Sequence, residues 1–144
     1  EILVLEAYTK FGDRSGFEVR KIESVSKIEV GGIYETCLAA LIRAEEPEHS
    51  GLSLDTMDLG GDFVGVLLAA KDSGAIVSVW GDDDDQAVVG TVSSIFEHTI
   101  EISLLDRYGR KDGTSLVNIS EITAIDYETR ELQLLRKFAT LSES

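Results

Sequence analysis

Two stretches of this sequence decide its fold: Ile2 to Val30, ILVLEAYTKFGDRSGFEVRKIESVSKIEV, and Thr99 to Tyr127, TIEISLLDRYGRKDGTSLVNISEITAIDY. Laid over each other at an offset of 97 positions, they put Gly12 on Gly109, Gly16 on Gly113, Ile22 on Ile119 and Ile28 on Ile125. Lys10/Arg107, Phe11/Tyr108, Arg14/Lys111, Val19/Leu116, Val25/Ile122 and Glu29/Asp126 are alike in character. Self-similarity at a fixed offset is the signature of a repeated unit. The paired glycines fall in a turn, where a positive φ favours glycine over any other residue. The paired isoleucines fall in strands.

In the second copy, residues 100–106 alternate as a strand, 107–113 turn, 114–119 return, and 122–127 make a third short strand after a break at Ser120–Glu121. A helix follows from Glu128 or Thr129, with Leu132, Leu135 and Phe138 as its apolar stripe. The first copy closes in the same way. After Gly31–Gly32 comes IYETCLAALIRAEE, with Leu38, Leu41 and Ile42 on one face. Each copy therefore predicts strand–turn–strand–strand–helix.

Upstream of the second copy, residues 62–71 (DFVGVLLAAK) suit a short helix or a strand. Residues 75–81 predict a strand, and 86–95 another, bent at Gly90. Five short antiparallel strands in so short a span point to a small barrel. Residues 45–61, with the single proline, read as a linker. The expected fold class is mostly β with short helices, as two tandem small antiparallel barrels. The first unit occupies 1–44 and is incomplete in this chain; the second, with its carboxy-terminal helix, occupies 62–144. Matching the first unit to the second predicts roughly 35–40 further residues upstream of Glu1. The alternative is one merged α+β domain in which both β segments join a single sheet.

With these elements in place, the second copy resembles an Sm-like or SH3-like small barrel, a strongly bent five-stranded antiparallel sheet with a helix at one end. The resemblance rests on strand order and on Gly90, and covers 75–127 with part of 2–30. The turn Phe11–Gly12–Asp13–Arg14–Ser15–Gly16–Phe17, followed by Ile22 to Ile28 and Tyr34, is similar to that of a family of short uncharacterised bacterial proteins, mostly from Firmicutes. In that family an aromatic–Gly–Arg–x–Asp–Gly turn precedes a strand and a helix, and Tyr108 to Gly113 fits the pattern more closely. The resemblance implies a fold and no assigned activity. Sm proteins that bind RNA carry an Asp and an Asn around the third loop and an Arg–Gly pair in the fifth. The corresponding positions here, Phe96, Ile100, Asn118 and Ile119, do not match.

Charge points the same way. Of 144 residues, 13 are Lys or Arg and 27 are Asp or Glu, for a net charge of −14. Nucleic-acid phosphates and anionic membrane surfaces attract the opposite balance. No apolar run approaches the roughly 20 residues that span a bilayer, and no basic leader precedes an apolar segment. So acidic a surface favours basic or neutral partners. The lone Cys37 leaves no internal disulfide and suits a reducing compartment, so we expect the cytoplasm.

Candidate chemistry is sparse. Asp82 to Asp85 could offer oxygens to a hard cation, but calcium loops alternate their ligands around a glycine. A solvated loop whose charges discourage edge-to-edge pairing is the better reading. His49, His98 and Cys37 are scattered, and a zinc site needs three or four ligands. Cys37 is expected to be a small buried hydrophobe in a helix core. Trp80, beside Gly81 at a strand end, is expected to be partly buried. No phosphate loop, dinucleotide fingerprint or nucleophile elbow occurs.

We therefore expect no catalytic, cofactor-binding or metal-binding residues. The expected function is a non-enzymatic interaction module whose partner is first a second copy and second a basic protein. Its candidate contact residues lie in the turns: Phe11, Arg14, Tyr108, Arg110 and Lys111. The reading of a different class is an RNA-binding regulator. It would use Arg107, Arg110 and Lys111 together with Lys10, Arg14, Arg20 and Lys21, provided the turns converge.

Overall fold

A computed structural model of the chain describes residues 1–45, 62–82 and 86–142. It contains seven strands: β1 (Ile2–Tyr8), β2 (Arg14–Lys21), β3 (Ile76–Gly81), β4 (Val88–Ile95), β5 (Thr99–Leu105), β6 (Lys111–Asn118) and β7 (Ile122–Tyr127). Three α-helices accompany them: α1 (Ile33–Glu45), α2 (Phe63–Ser73) and α3 (Arg130–Ser142). The β-rich class expected from the sequence is present. The division into two separate barrels is not: all seven strands share one antiparallel sheet in the order β1-β2-β7-β3-β4-β5-β6. The first β segment joins the second through β2 and β7, with Phe17 opposite Tyr127 and Arg20 opposite Ala124. An open strand edge invites pairing, and β2 covers its second edge with β7. Of the expected linker, 45–61, Glu45 instead ends α1, and 46–61 lie outside the described residues.

The sheet curls. One cavity of about 310 Å³ is lined by Val79 of β3 and by Ser115, Leu116 and Val117 of β6, which are not neighbours in the strand order. Gly90 of β4 makes room for the bend, because a Cβ there would meet the Ser103 carbonyl of β5. Inside the curl lies the main core. Phe17 and Val19 of β2 pack there with Val77, Val79, Ile100, Ile102, Ile125 and Tyr127.

α2 closes that core. Residues 62–71 form a helix rather than a strand because Phe63, Val66, Leu67 and Ala70 recur at helical spacing, and all four are buried. Its ends are capped. The Asp62 carboxylate accepts from the Val64 N–H at 3.0 Å, and Gly74 ends the helix in the left-handed region at φ 67°. On the opposite face of β3, Leu132 and Leu135 of α3 pack on Ile76, Val89 and Leu105. With apolar cover on both sides, β3 is the central strand.

The two matched segments coincide element by element at the sequence offset. β1 and β5, β2 and β6, the 3-10 turns Ile22–Ser24 and Ile119–Glu121, and α1 and α3 all share bounds. So do their ladders. Ile2 pairs with Lys21 as Thr99 pairs with Asn118, and both ladders slip before the last pair, at Glu6/Tyr8 and at Ser103/Leu105. One element departs. The third strand expected within Ile22 to Ile28 is not formed, and residues 25–30 join no ladder among the described residues. Their counterpart β7 lies between β2 and β3, whereas no described strand lies beside residues 25–30. α1 is thinly packed. Cys37, expected in its core, is exposed, as are Ile33 and Tyr34.

Candidate interaction surface

Both hairpin turns are built by the same hydrogen bonds. In the first, Thr9 N–H donates to Asp13 O at 2.8 Å and Gly12 N–H to Thr9 O at 2.9 Å. In the second, Asp106 N–H donates to Arg110 O and Gly109 N–H to Asp106 O, both at 2.9 Å. A side-chain oxygen caps each loop. Thr9 Oγ1 accepts from the Phe11 and Asp13 amides, and Asp106 Oδ1 accepts from those of Tyr108 and Arg110. Gly12 and Gly109 have φ of 84° and 76° and let each turn lie against a helix, Leu41 of α1 in one case and Leu135 and Ala139 of α3 in the other.

These turns present the aromatic residues picked out in the sequence. Phe11 is 63% exposed with Lys10 Nζ 5.2 Å above its ring. Tyr108 is 47% exposed, and the guanidinium groups of Arg107 and Arg110 lie 4.8 and 5.3 Å from its ring centroid. Arg110 Nε also donates to Asp106 Oδ2 at 2.7 Å. The backbone amide of Arg110 is the main cause that holds the Asp106 carboxyl below the usual aspartate range, and its guanidinium adds to the effect. Arg14 Nε contacts Glu6 Oε1 at 2.6 Å and its guanidinium covers the Phe17 ring. Lys111 is exposed at the start of β6.

The structure brings Arg107, Tyr108 and Arg110 together but sets the two turns on the hairpins at opposite ends of the strand order. Arg20 is drawn away from both. It pairs with Asp126 Oδ1 at 2.9 Å across the β2–β7 seam, and Trp80 Nε1 donates to the other oxygen of the same carboxylate at 3.1 Å. Trp80 is thus partly buried, as its position suggested. It borders an open cavity of about 710 Å³ with Asp106, Arg107, Asp126 and Glu131, where acidic groups face a single arginine. His98 is exposed beside Glu97. His49 and Asp83 to Asp85 lie outside the described residues. No described helix is long and apolar enough to cross a membrane.

What sequence reasoning did not locate is the position of the open edge. β6 pairs with β5 alone among the described strands, and its Leu116 is 66% exposed. Ile28 and Val30, at 69% and 86% exposed, stand in the segment that joins no ladder. The signal was available in the pairing of Val19 with Leu116 and of Ile125 with Ile28 across the two copies. It needed the knowledge that β2 and β7 lie side by side. Comparison of the chain with family models, curated proteins and solved structures finds no match.

Proposed function

We propose that this chain is a non-enzymatic interaction module that acts through protein–protein contacts, with a second copy as its first partner and a basic protein as its second. The observation that carries this reading is the edge of β6, which pairs with β5 alone among the described residues and lies beside exposed apolar side chains. Such an edge is a template for another strand. The finer architecture belongs to the same proposal. We read α2 with β3 to β7 as an Sm-like unit and residues 1–44 as a partial copy of it, as the bacterial resemblance implies. The curl of the sheet, the helix at its end and the coincident element bounds support this. The lone exposed Cys37 suits the reducing cytoplasm.

The RNA-binding reading has less behind it. Arg110 is paired with Asp106, Arg14 with Glu6 and Arg20 with Asp126 and Glu18, so three of the seven candidate cations are already engaged by carboxylates of the chain. Light scattering on a size-exclusion column, at low and high salt, tests the favoured reading. We expect a mass above one chain that persists at high salt, because the contact would rest on ladder bonds and apolar burial. A monomer at both salt concentrations with no affinity for a basic protein would overturn the reading. RNA affinity that falls with rising salt would favour the alternative.

A further inference from the structure

The β2–β7 seam is a complete junction between the first segment and the second. Its counterparts elsewhere in the chain are two separated halves. At the sequence offset, β2 corresponds to β6, and the end of β7 corresponds to residues 27–30. Burial follows the junction. Val19 and Ile125 are 1% and 0% exposed where the seam is made, while their counterparts Leu116 and Ile28 are 66% and 69% exposed. Tyr127 is 4% exposed and its counterpart Val30 is 86% exposed.

The backbone repeats the pattern. Gly16 at φ 85° receives the backbone of Glu128, which itself has the positive φ of 54°. The counterpart of Gly16 is Gly113 at φ 90°, and the counterpart of Glu128 is Gly31 at φ 75°. Both glycines hold the conformation of the seam, yet a Cβ on either would meet nothing within 4 Å.

We infer that residues 27–30 of one molecule add to the free edge of β6 of a second copy of this chain, in the register of the β2–β7 seam. The expected pairs are Val30 with Thr114, Glu29 with Ser115, Ile28 with Leu116 and Lys27 with Val117. Gly31 then lies over Gly113 as Glu128 lies over Gly16. The exposed pair Ile28 and Leu116 becomes a cross-strand apolar contact. The contact is head-to-tail, since each molecule offers one half at β6 and the other at 27–30, so it builds a closed ring or an open chain.

This inference rests on the self-association reading, and its test separates the two. In the Cys37→Ser background, Ile28→Cys with Leu116→Cys places directly opposed residues at a spacing a disulfide accepts. Oxidation should give an intermolecular ladder on a non-reducing gel. The pair Ile28→Cys with Asp112→Cys should give none. Leu116→Glu alone, at a position exposed in the single chain, should lower the solution mass without changing the circular dichroism. Combining Leu116→Lys with Ile28→Glu should restore that mass.

An oligomer with no 28–116 cross-link, or one indifferent to Leu116→Glu, overturns the proposed register while self-association through another face stands. A single-chain mass at every concentration overturns the inference and leaves the interaction reading to a basic partner.

Discussion

Gly16 and Gly113 occupy matching positions, each the third residue of its strand and each at positive φ. Their surroundings separate them. An alanine at 16 would carry the left-handed strain and also drive a Cβ into the Glu128 backbone, which cannot move without opening the β2–β7 seam. An alanine at 113 would carry the strain alone. The strain is roughly 1–2 kcal/mol and the crowding a further ~1–3 kcal/mol. Gly16→Ala should therefore lower stability by about twice as much as Gly113→Ala, read as the shift in urea midpoint of a variant kept monomeric. Equal losses would mean that the seam yields to a methyl group.

At the scale of elements, helix and strand compete openly in residues 62–71, where a nearly continuous apolar run fits both. Burial at positions 63, 66, 67 and 70 resolves it, and the capping groups Asp62 and Gly74 were already in the sequence. The neighbours Leu67 and Leu68 make the helix testable. Leu67 is fully buried and Leu68 is 46% exposed. Leu67→Ala should cost about 2–5 kcal/mol and Leu68→Ala about 0.5 kcal/mol or less in chemical denaturation. Comparable losses would remove α2 from the place assigned to it over the core. Residues 25–30 are the opposite case. They have the composition of a strand and the spacing of one, yet join no ladder among the described residues.

Across the whole molecule, the first β segment has no closed core of its own. Phe17 and Val19 are buried against Ile125 and Tyr127, with the Phe17 and Tyr127 rings stacked at 6.2 Å. Arg20, Asp126 and Trp80 tie the other face of the same seam. The segments should accordingly unfold together. Trp80 fluorescence and far-ultraviolet circular dichroism should give superimposable denaturation curves. A fluorescence change that precedes the loss of β signal would show that β1 and β2 detach first.

Much of the local structure was legible from residues near one another in the chain. Hydrophobic alternation placed the strands, the glycines placed both hairpin turns, and the offset matched elements that prove to have the same bounds. Phe11, Tyr108 and the nearby arginines were legible as turn residues, since exposure at a tight turn follows from chain geometry. These are short-range properties, set by φ preferences and by the period of the side chains. Which strand lies beside which is not short-range. Only the tertiary structure places β2 against β7, because antiparallel edges pair by backbone groups that every sequence carries, and side chains merely select among the partners within reach. That one pairing turns two expected barrels into a single sheet, buries Phe17 and Val19, and leaves Leu116 and Ile28 exposed.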